Sequence, residues 1–257
     1  MVLIDEILPY YMARGGAWSK AYYCNVGIQL ANLSYQKTMY SVDLNGNVNA
    51  EFNLTPPQTI QNIALAPGEG IYVAVYSSSI FLYDFAGQVV SGKSLGSGSA
   101  RDISVRGDKL YALFGTSVRV YNRTNGQRVS GEEYSGPYIG NSIALKPDGG
   151  YIIQDTGYSQ GSSYLRIREY DSDWSLTSGG LNFALTDPAG TVTGMAYINN
   201  KLIVGYNTQY QKLTPGPVKR GKIQIYDGST LEETITVNET LGAGSNSGFD
   251  YHGYTFV

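Results

Sequence analysis

The stretch that decides the fold is Asn141-Ser-Ile-Ala-Leu-Lys-Pro-Asp-Gly-Gly-Tyr-Ile-Ile153, followed by Tyr164-Leu-Arg-Ile-Arg-Glu-Tyr-Asp171. Its first part predicts two strands joined by a tight turn, because proline presets φ and glycine accepts the positive φ that other residues resist. Its second part predicts a third strand that ends at a Tyr-Asp pair. The stretch therefore describes one small antiparallel unit.

This unit recurs along the chain. An apolar or aromatic residue followed by Asp or Asn marks five strand ends, which are Val42-Asp43, Tyr83-Asp84, Tyr121-Asn122, Tyr170-Asp171 and Tyr226-Asp227. Successive copies are 41, 38, 49 and 56 residues apart. Repeats of roughly 40 to 50 residues with several strands each are typical of β-propeller blades. We therefore predict an all-β fold in which residues 1–257 form a single propeller of four-stranded antiparallel blades.

The ends of the chain predict how the ring closes. Ser247–Val257 matches Thr193–Val204, which we interpret as the first and second strands of a unit, and Lys37–Asp43 and Val48–Leu54 are interpreted as a third and a fourth strand. Pairing of these N- and C-terminal strands would complete one blade and remove exposed sheet edges. This arrangement favours five blades.

A six-bladed ring is the alternative. In that case residues 10–30 supply strands of their own, and residues 2–8 complete the blade that the C-terminus begins. Residues 1–36 thus form either an extra N-terminal segment or extra blade strands.

The units resemble the propeller repeats of the YVTN, NHL and WD-repeat type over nearly the whole chain. The residues that carry this resemblance are Ile143-Ala-Leu-Lys-Pro-Asp-Gly-Gly-Tyr151 and the Tyr-Asp strand ends. The resemblance implies the fold and a tendency to bind ligands on one face. It implies no activity, because blades of this kind occur in proteins of many functions.

The composition limits the classes of partner and the cellular locations that we expect. The formal charge is −3 and only 15% of the residues are charged, so nothing predicts nucleic acid binding. No apolar stretch approaches a membrane span, the first residues lack the pattern of a signal peptide, and the lone Cys24 excludes an intramolecular disulfide. A surface poor in charge and rich in Tyr, Asn and Gly is similar in composition to virion proteins of thermophilic archaea, so we expect a place on a virion or an extracellular surface.

The connections between the second and third strands of a blade emerge on the same face as those between blades. Two of these connections are long, residues 156–163 and 206–221, and we call this side the long-loop face. Long connections on a rigid scaffold concentrate binding residues, and Tyr, Asn, Gln and cationic side chains suit a protein or a glycan. The predicted binding residues are Tyr158, Gln160, Tyr206, Asn207, Gln209, Tyr210, Lys212, Lys219 and Arg220. The competing interpretation of the second connection is an ordinary solvated hairpin.

Few residues of the sequence are candidates for catalysis or for binding a metal. A glycosidase or lyase acting at the channel mouth would need a carboxylate pair, for which Asp102, Asp155 and Asp250 are the candidates. The segment Asp43-Leu-Asn-Gly-Asn47 has part of the spacing of a calcium loop but lacks the trailing Glu. Its Asp lies at the same strand end as Asp84 and Asp227, so an Asx turn shared by all blades explains it. His252 is the only histidine and is predicted to be packed in a strand. We therefore predict no catalytic residues, no metal and no cofactor.

The sequence as a whole favours a non-catalytic binding or structural propeller. It would recognise a protein or glycan partner through the long-loop face, as an attachment protein of a virion or cell surface. The glycosidase or lyase is the alternative, and an oligomer is compatible with either.

Overall fold

The structure is a computed structural model. It describes residues 20–26, 38–43, 48–55, 60–66, 68–75, 79–96, 98, 100–114, 116–135, 140, 142–159, 162–185, 190–208, 221–236 and 250–256. Within these ranges no helix is long and apolar enough to cross a membrane.

The first sheet joins the two ends of the chain. Its strand order is β19 (Asp250–Phe256), β1 (Lys20–Val26), β2 (Thr38–Asp43) and β3 (Val48–Asn53), and all neighbours are antiparallel. The N- and C-terminal strands pair as expected. The C-terminal segment supplies one strand rather than the predicted two, because the second position is taken by β1. The rest of residues 1–36 and the segment 44–47 lie outside the described residues.

The second sheet has three strands, which are β4 (Ile60–Ala66), β5 (Gly70–Val75) and β6 (Ile80–Tyr83). Residues 88–95 run beside β6 but form only isolated bridges to it. Two glycines with positive φ, Gly92 at 74° and Gly96 at 57°, interrupt the extended backbone that a fourth strand would need.

Three further sheets have four strands each, in chain order from the innermost strand outward. They are β7 (Asp102–Arg106), β8 (Lys109–Leu113), β9 (Ser117–Asn122) and β10 (Tyr134–Ser135); β11 (Ser142–Leu145), β12 (Tyr151–Ser159), β13 (Ser162–Tyr170) and β14 (Asn182–Ala184); and β15 (Gly190–Ile198), β16 (Lys201–Thr208), β17 (Gly221–Asp227) and β18 (Thr230–Thr236).

The innermost strands contact one another in a closed sequence. β19 contacts β4 and β15, β4 contacts β7, β7 contacts β11, and β11 contacts β15. Sheets arranged around such a ring form a propeller. The prediction of five four-stranded blades is wrong, and so is the six-bladed alternative. The described residues form four four-stranded blades, and the sheet of β4 to β6 remains three-stranded because its outer segment never becomes a strand.

The hydrophobic core lies between the sheets. Alternate residues of β5 face opposite ways, so that Ile71 and Val73 join a cluster with Met39 of the first sheet, whereas Tyr72 joins a cluster with Leu110 of the third. Each strand buried on both faces must therefore be apolar at nearly every position, which explains the continuous apolar runs of the sequence.

The recurring Asp or Asn at the strand ends caps the next turn. The Oδ1 atom of Asp84 accepts hydrogen bonds from the backbone N–H groups of Ala86 and Gln88, both at 2.9 Å. Asn122 and Asp171 make equivalent bonds within their own turns. The interpretation of the repeated phrase as an Asx turn is confirmed at these three sites.

Candidate functional site

Asp102, a candidate for a catalytic pair, is part of the ring's internal framework. It begins the inner strand β7 and is 2% exposed. Its Oδ2 accepts from Ser142 Oγ at 2.5 Å and from the Ile143 N–H at 2.7 Å, both in the neighbouring inner strand β11. Its Oδ1 accepts from the Ile103 N–H at 2.8 Å. Burial raises the pKa of Asp102 to about 7, against the opposing effect of these hydrogen bonds.

A polar residue occupies the same place in neighbouring repeats. Asn62, Asp102 and Ser142 are spaced 40 residues apart and lie near the starts of three consecutive inner strands. Asn62 Oδ1 accepts from the Ile63 N–H at 2.6 Å, and Asn62 Nδ2 donates to Arg101 O of the next blade at 3.2 Å. Asn62 and Asp102 thus each link one inner strand to the next. Alignment of the repeats at this position would have revealed the structural role of Asp102.

Asp155 also has a structural role. Its carboxylate is fully buried and accepts two bonds from Arg166, through Nε and Nη2, at 2.9 Å each. Arg168 Nη2 donates to the same carboxylate. Asp155 and Arg166 are direct partners in the pairing of β12 with β13, so this ion cluster holds the two strands together.

These contacts exclude two of the three candidate carboxylates from a catalytic pair. Asp102 and Asp155 are buried and bonded, whereas a glycosidase needs carboxylates that face an open site. Asp250 lies at the start of β19 and pairs with Val26, and His252 lies farther along the same strand opposite Cys24. No group of three His, Cys, Asp or Glu side chains that could hold a metal ion occurs among the residues that the structure describes.

The long-loop face is built from strands that project beyond the blades. β12 and β13 stay paired from Tyr151 opposite Tyr170 as far as Ser159 opposite Ser162. The flanking strand β11 reaches only Gln154 on β12, and β14 reaches only Arg166 on β13. Just past β14, the Leu185 N–H donates to Leu165 O at 2.9 Å, and Leu165 packs against the hydrophobic core. Residues 156–159 and 162–164 therefore form a two-stranded projection, about 10 Å long at roughly 3.3 Å per residue. The predicted loop 156–163 is thus largely a strand hairpin.

The next blade extends on the same face. Thr208 pairs with Gly190, and Asn207 pairs with both Thr191 and Gly221. Because β11 contacts β15, the two extended blades are neighbours. Their strand ends bring Tyr158, Tyr206 and Asn207 to one side of the propeller.

The remaining predicted binding residues fall in the connections that follow these strands. They lie outside the described residues and are Gln160, Gln209, Tyr210, Lys212, Lys219 and Arg220.

Comparison with known proteins adds little to this picture. No protein-family model matches the chain, and no curated protein does. Among solved structures, the chain is similar to Kuenenia stuttgartiensis hydrazine synthase, with a TM-score of 0.47 and 14% identity over 81% of this chain and 62% of that one. It is also similar to Saccharomyces cerevisiae Sqt1, with a TM-score of 0.43 and 13% identity over 87% of this chain and 59% of that one. The computationally designed protein Ika4 gives a TM-score of 0.39 and 13% identity over 69% of this chain and 97% of that one.

These likenesses are too weak to carry an argument about activity or partners. The chain also spans less than two thirds of the hydrazine synthase and Sqt1 chains. The propeller architecture is shown by the strand pairing and by the closed sequence of inner-strand contacts. Membership of the YVTN, NHL or WD-repeat families is not shown by any family match.

Proposed function

We propose that this protein is a non-catalytic binding propeller that takes up a protein or glycan partner on its long-loop face. The observation that carries the proposal is the extension of two neighbouring blades on one side, with β12–β13 projecting past its blade and β15–β17 extending beside it. Strands project past a packed sheet at a cost, because their backbone and side chains gain little burial there. A projecting pair beside a long connection suits recognition of a partner.

The residue types at this site support the same proposal. Flat amphipathic rings and adaptable hydrogen-bonding groups recur in interfaces with proteins and sugars. In this sequence the rings come from Tyr158, Tyr206 and Tyr210, and Gln209 adds an amide. Attachment at the surface of a virion or a cell is the biological setting that we propose for such a site. The low content of charged residues and the abundance of Tyr and Asn motivate this part of the proposal.

Shortening the connection tests the proposal. In the variant, residues 208–220 are replaced by an Asn-Gly turn, which joins Asn207 to its strand partner Gly221 as a two-residue hairpin. The probes are a glycan array and a displayed random-peptide library selected against the unaltered protein. We expect the selected ligands to lose at least about tenfold in affinity for the variant, since a few central residues carry most of the binding energy of an interface.

A matched control separates the connection from the fold. Substituting Ser229→Ala in the turn between β17 and β18 changes an exposed position at the opposite end of the same blade. Circular dichroism and the unfolding midpoint establish that both variants fold. A folded deletion variant that binds every selected ligand as the unaltered protein does would refute the role of this connection.

A further inference from the structure

The projecting part of the β12–β13 hairpin presents backbone hydrogen-bonding groups on the side of β11. Leu165 O accepts from the Leu185 N–H at 2.9 Å, so Leu165 directs its polar backbone groups away from β12. Thr156 lies directly opposite Leu165. Two residues that face each other in an antiparallel pair either bond to each other or both direct their polar groups outward. The N–H and C=O of Thr156 therefore point away from β13.

The other side of β12 gives the same orientation. The Lys146 N–H donates to Gly150 O at 2.9 Å, where β11 turns into β12, so Gly150 directs its polar groups toward β11. Thr156 and Tyr158 lie six and eight residues farther along, and alternate residues of a strand share one orientation. These two residues thus present two N–H and two C=O groups in a row.

This row continues past the end of β11. Among the strands that the structure describes, β12 has only β11 and β13 as neighbours. The pairing of β11 with β12 ends where Ser142 lies opposite Gln154. No described strand therefore occupies the place beside Thr156 and Tyr158, in line with β11. We call residues 156–158, seen from this side, the hairpin edge.

The outermost strands of the other blades are protected against pairing with another chain. β10 has two residues and β14 has three. β18 is longer, but it carries Glu232 and Glu233, which are both exposed, and β3 carries Glu51. Residues 88–95 bridge to the outer side of β6. Short strands and charged side chains are the usual means by which proteins prevent edge-to-edge association.

The hairpin edge has none of these protections. Its strands read Thr156-Gly-Tyr-Ser159 and Ser162-Ser-Tyr164, and with the turn between them they make nine consecutive residues without a charge or a proline. Threonine and tyrosine also favour the extended backbone of a strand. A strand edge with a row of such groups is a template to which another strand can add.

We propose that an extended segment of a protein partner adds to the hairpin edge as a further strand, pairing with the backbone of Thr156 and Tyr158. The inference rests on the proposed function and narrows its partner to a protein, because a glycan has no backbone donors and acceptors at the spacing of a strand. Four hydrogen bonds, each contributing about threefold to tenfold to an equilibrium constant, suffice to hold one flexible segment. Two rigid copies of the propeller would need a far larger contact, of about 1,200 Å² or more.

Hydrogen exchange of individual amides, followed by NMR, tests the state of the hairpin edge. In the free protein the N–H groups of Thr156 and Tyr158 should exchange at least about tenfold faster than those of Gly157 and Ser159, which bond across the hairpin to β13. The probe is a peptide selected against the unaltered protein from a displayed random-peptide library. At saturation with this peptide, exchange at Thr156 and Tyr158 should slow at least about tenfold.

Methylation of the peptide backbone tests the mode of binding. Each residue of the selected peptide is N-methylated in turn, and the affinity is measured by fluorescence anisotropy. Because alternate residues of an added strand face β12, methylation should weaken binding at least about tenfold at alternate positions and little at the positions between them. Contacts made by side chains alone would not give this period of two.

Proline variants test the same edge from the side of the protein. Tyr158→Pro removes an N–H that does not belong to the β12–β13 ladder, and Tyr158→Thr removes the ring but keeps that N–H. The proline variant should bind the peptide at least about fivefold more weakly than the threonine variant. Ser163→Pro is the matched control, because Ser163 lies opposite Tyr158 and its N–H points to the other side of the hairpin. It should leave peptide binding unchanged.

Four results would overturn the proposal. They are slow exchange at Thr156 and Tyr158 in the free protein, a methylation series without a period of two, equal binding by the folded Tyr158→Pro and Tyr158→Thr variants, and a library that yields no binding peptide. Slow exchange that becomes fast on dilution would assign the hairpin edge to a second copy of the chain. If the proline variants unfold, the methylation series still decides.

Failure of this proposal is distinguishable from failure of the proposed function. A glycan that binds the unaltered protein, loses affinity when residues 208–220 are replaced and leaves exchange at Thr156 and Tyr158 unchanged would refute strand addition while supporting the long-loop face as a binding site. A peptide that slows exchange at both residues, and binds equally well after that replacement, would support strand addition and refute the role of the connection.

Discussion

The Asp102→Asn variant should be less stable than the unaltered protein at pH 4 and more stable than it at pH 8. In the unaltered protein, one carboxylate oxygen accepts from the Ile143 N–H and from Ser142 Oγ, and the other accepts from the Ile103 N–H. A neutral Asp102 keeps all three contacts, because the Ser142 hydroxyl can reverse and accept the acid proton. Asn cannot, since its amide nitrogen would face the Ile143 N–H. Leaving that buried donor unsatisfied costs about 1 to 3 kcal/mol.

The pH dependence follows from the raised pKa. Burial lifts the pKa of Asp102 from 3.8 to about 7, which corresponds to about 4 kcal/mol at roughly 1.4 kcal/mol for each tenfold change in proton affinity. Because the folded-state pKa lies above the unfolded-state value, the stabilising contribution is fully present below about pH 4 and is lost as the pH rises through 7. Asn does not titrate. The unaltered protein should therefore be about 2 kcal/mol more stable than the Asp102→Asn variant at pH 4, and about 2 kcal/mol less stable at pH 8.

Urea unfolding of both proteins at several values between pH 4 and pH 8 measures this difference. All other titrating groups are shared, so their contributions largely cancel when the two free energies of unfolding are subtracted. A difference that stays constant across this range would refute the reasoning. It would show that the three hydrogen bonds keep Asp102 ionised throughout, so that they outweigh the burial of the carboxylate.

Two further predictions concern the frame of the propeller. Asp155→Ala leaves Arg166 and Arg168 without their shared carboxylate and should lower the free energy of unfolding by about 3 kcal/mol, the lower end for a broken buried pair because both guanidinium groups are partly exposed. The matched surface variant Glu232→Gln should lose less than about 1 kcal/mol, and equal losses in urea unfolding would contradict a special role for Asp155. Gly87→Ala should lower the unfolding temperature more than Gly68→Ala does, since both have a φ near 75° but only at Gly87 would a Cβ meet a backbone atom, Asn53 O at 2.0 Å. The extra loss should be about 2 kcal/mol, and calorimetry giving the same loss for both would show that the local backbone absorbs the clash.

The repeat pattern predicted the blades because each signal in it has a local cause. The Asp and Asn residues at strand ends bond to their own turns, and the apolar runs fill the spaces between sheets. The number of four-stranded blades could not be predicted in the same way. Val89 and Val90 suggest an outer strand, yet the positive φ at Gly92 and Gly96 leaves that segment with isolated bridges. The ends of the chain were ambiguous because β1 and the C-terminal segment compete for the same place in one sheet.

The sites were harder to predict because they depend on contacts between blades. Asp102 was interpreted as a candidate acid from its residue type and its predicted place on an inner strand. Its partner Ser142 belongs to the next blade, 40 residues along the sequence. The aromatic stack that joins Tyr111 and Tyr134 of one blade to Tyr151 and Trp174 of the next depends on which turns face each other, and no single repeat contains it. One local signal was present in the sequence. The turn that begins at Asp171 carries Trp where the turn that begins at Asp84 carries Gly.

The polar links between inner strands explain how the structure can vary away from the axis of the propeller while the ring stays intact. Asn62 and Asp102 each bind the following blade near the axis, and Arg106 does so near the opposite ends of the strands. Since the ring is held by these inner contacts, changes farther from the axis cost little outside their own blade. The hairpin of β12 and β13 can therefore extend past its blade without disturbing the neighbouring sheets. In the same way, the turn after Asp171 can accept Trp174 at a φ of 68°, a conformation that L-residues rarely adopt. On this reasoning, lengthening a connection on the long-loop face should change ligand binding with little loss of stability, whereas a substitution in the row of Asn62, Asp102 and Ser142 should affect the whole ring.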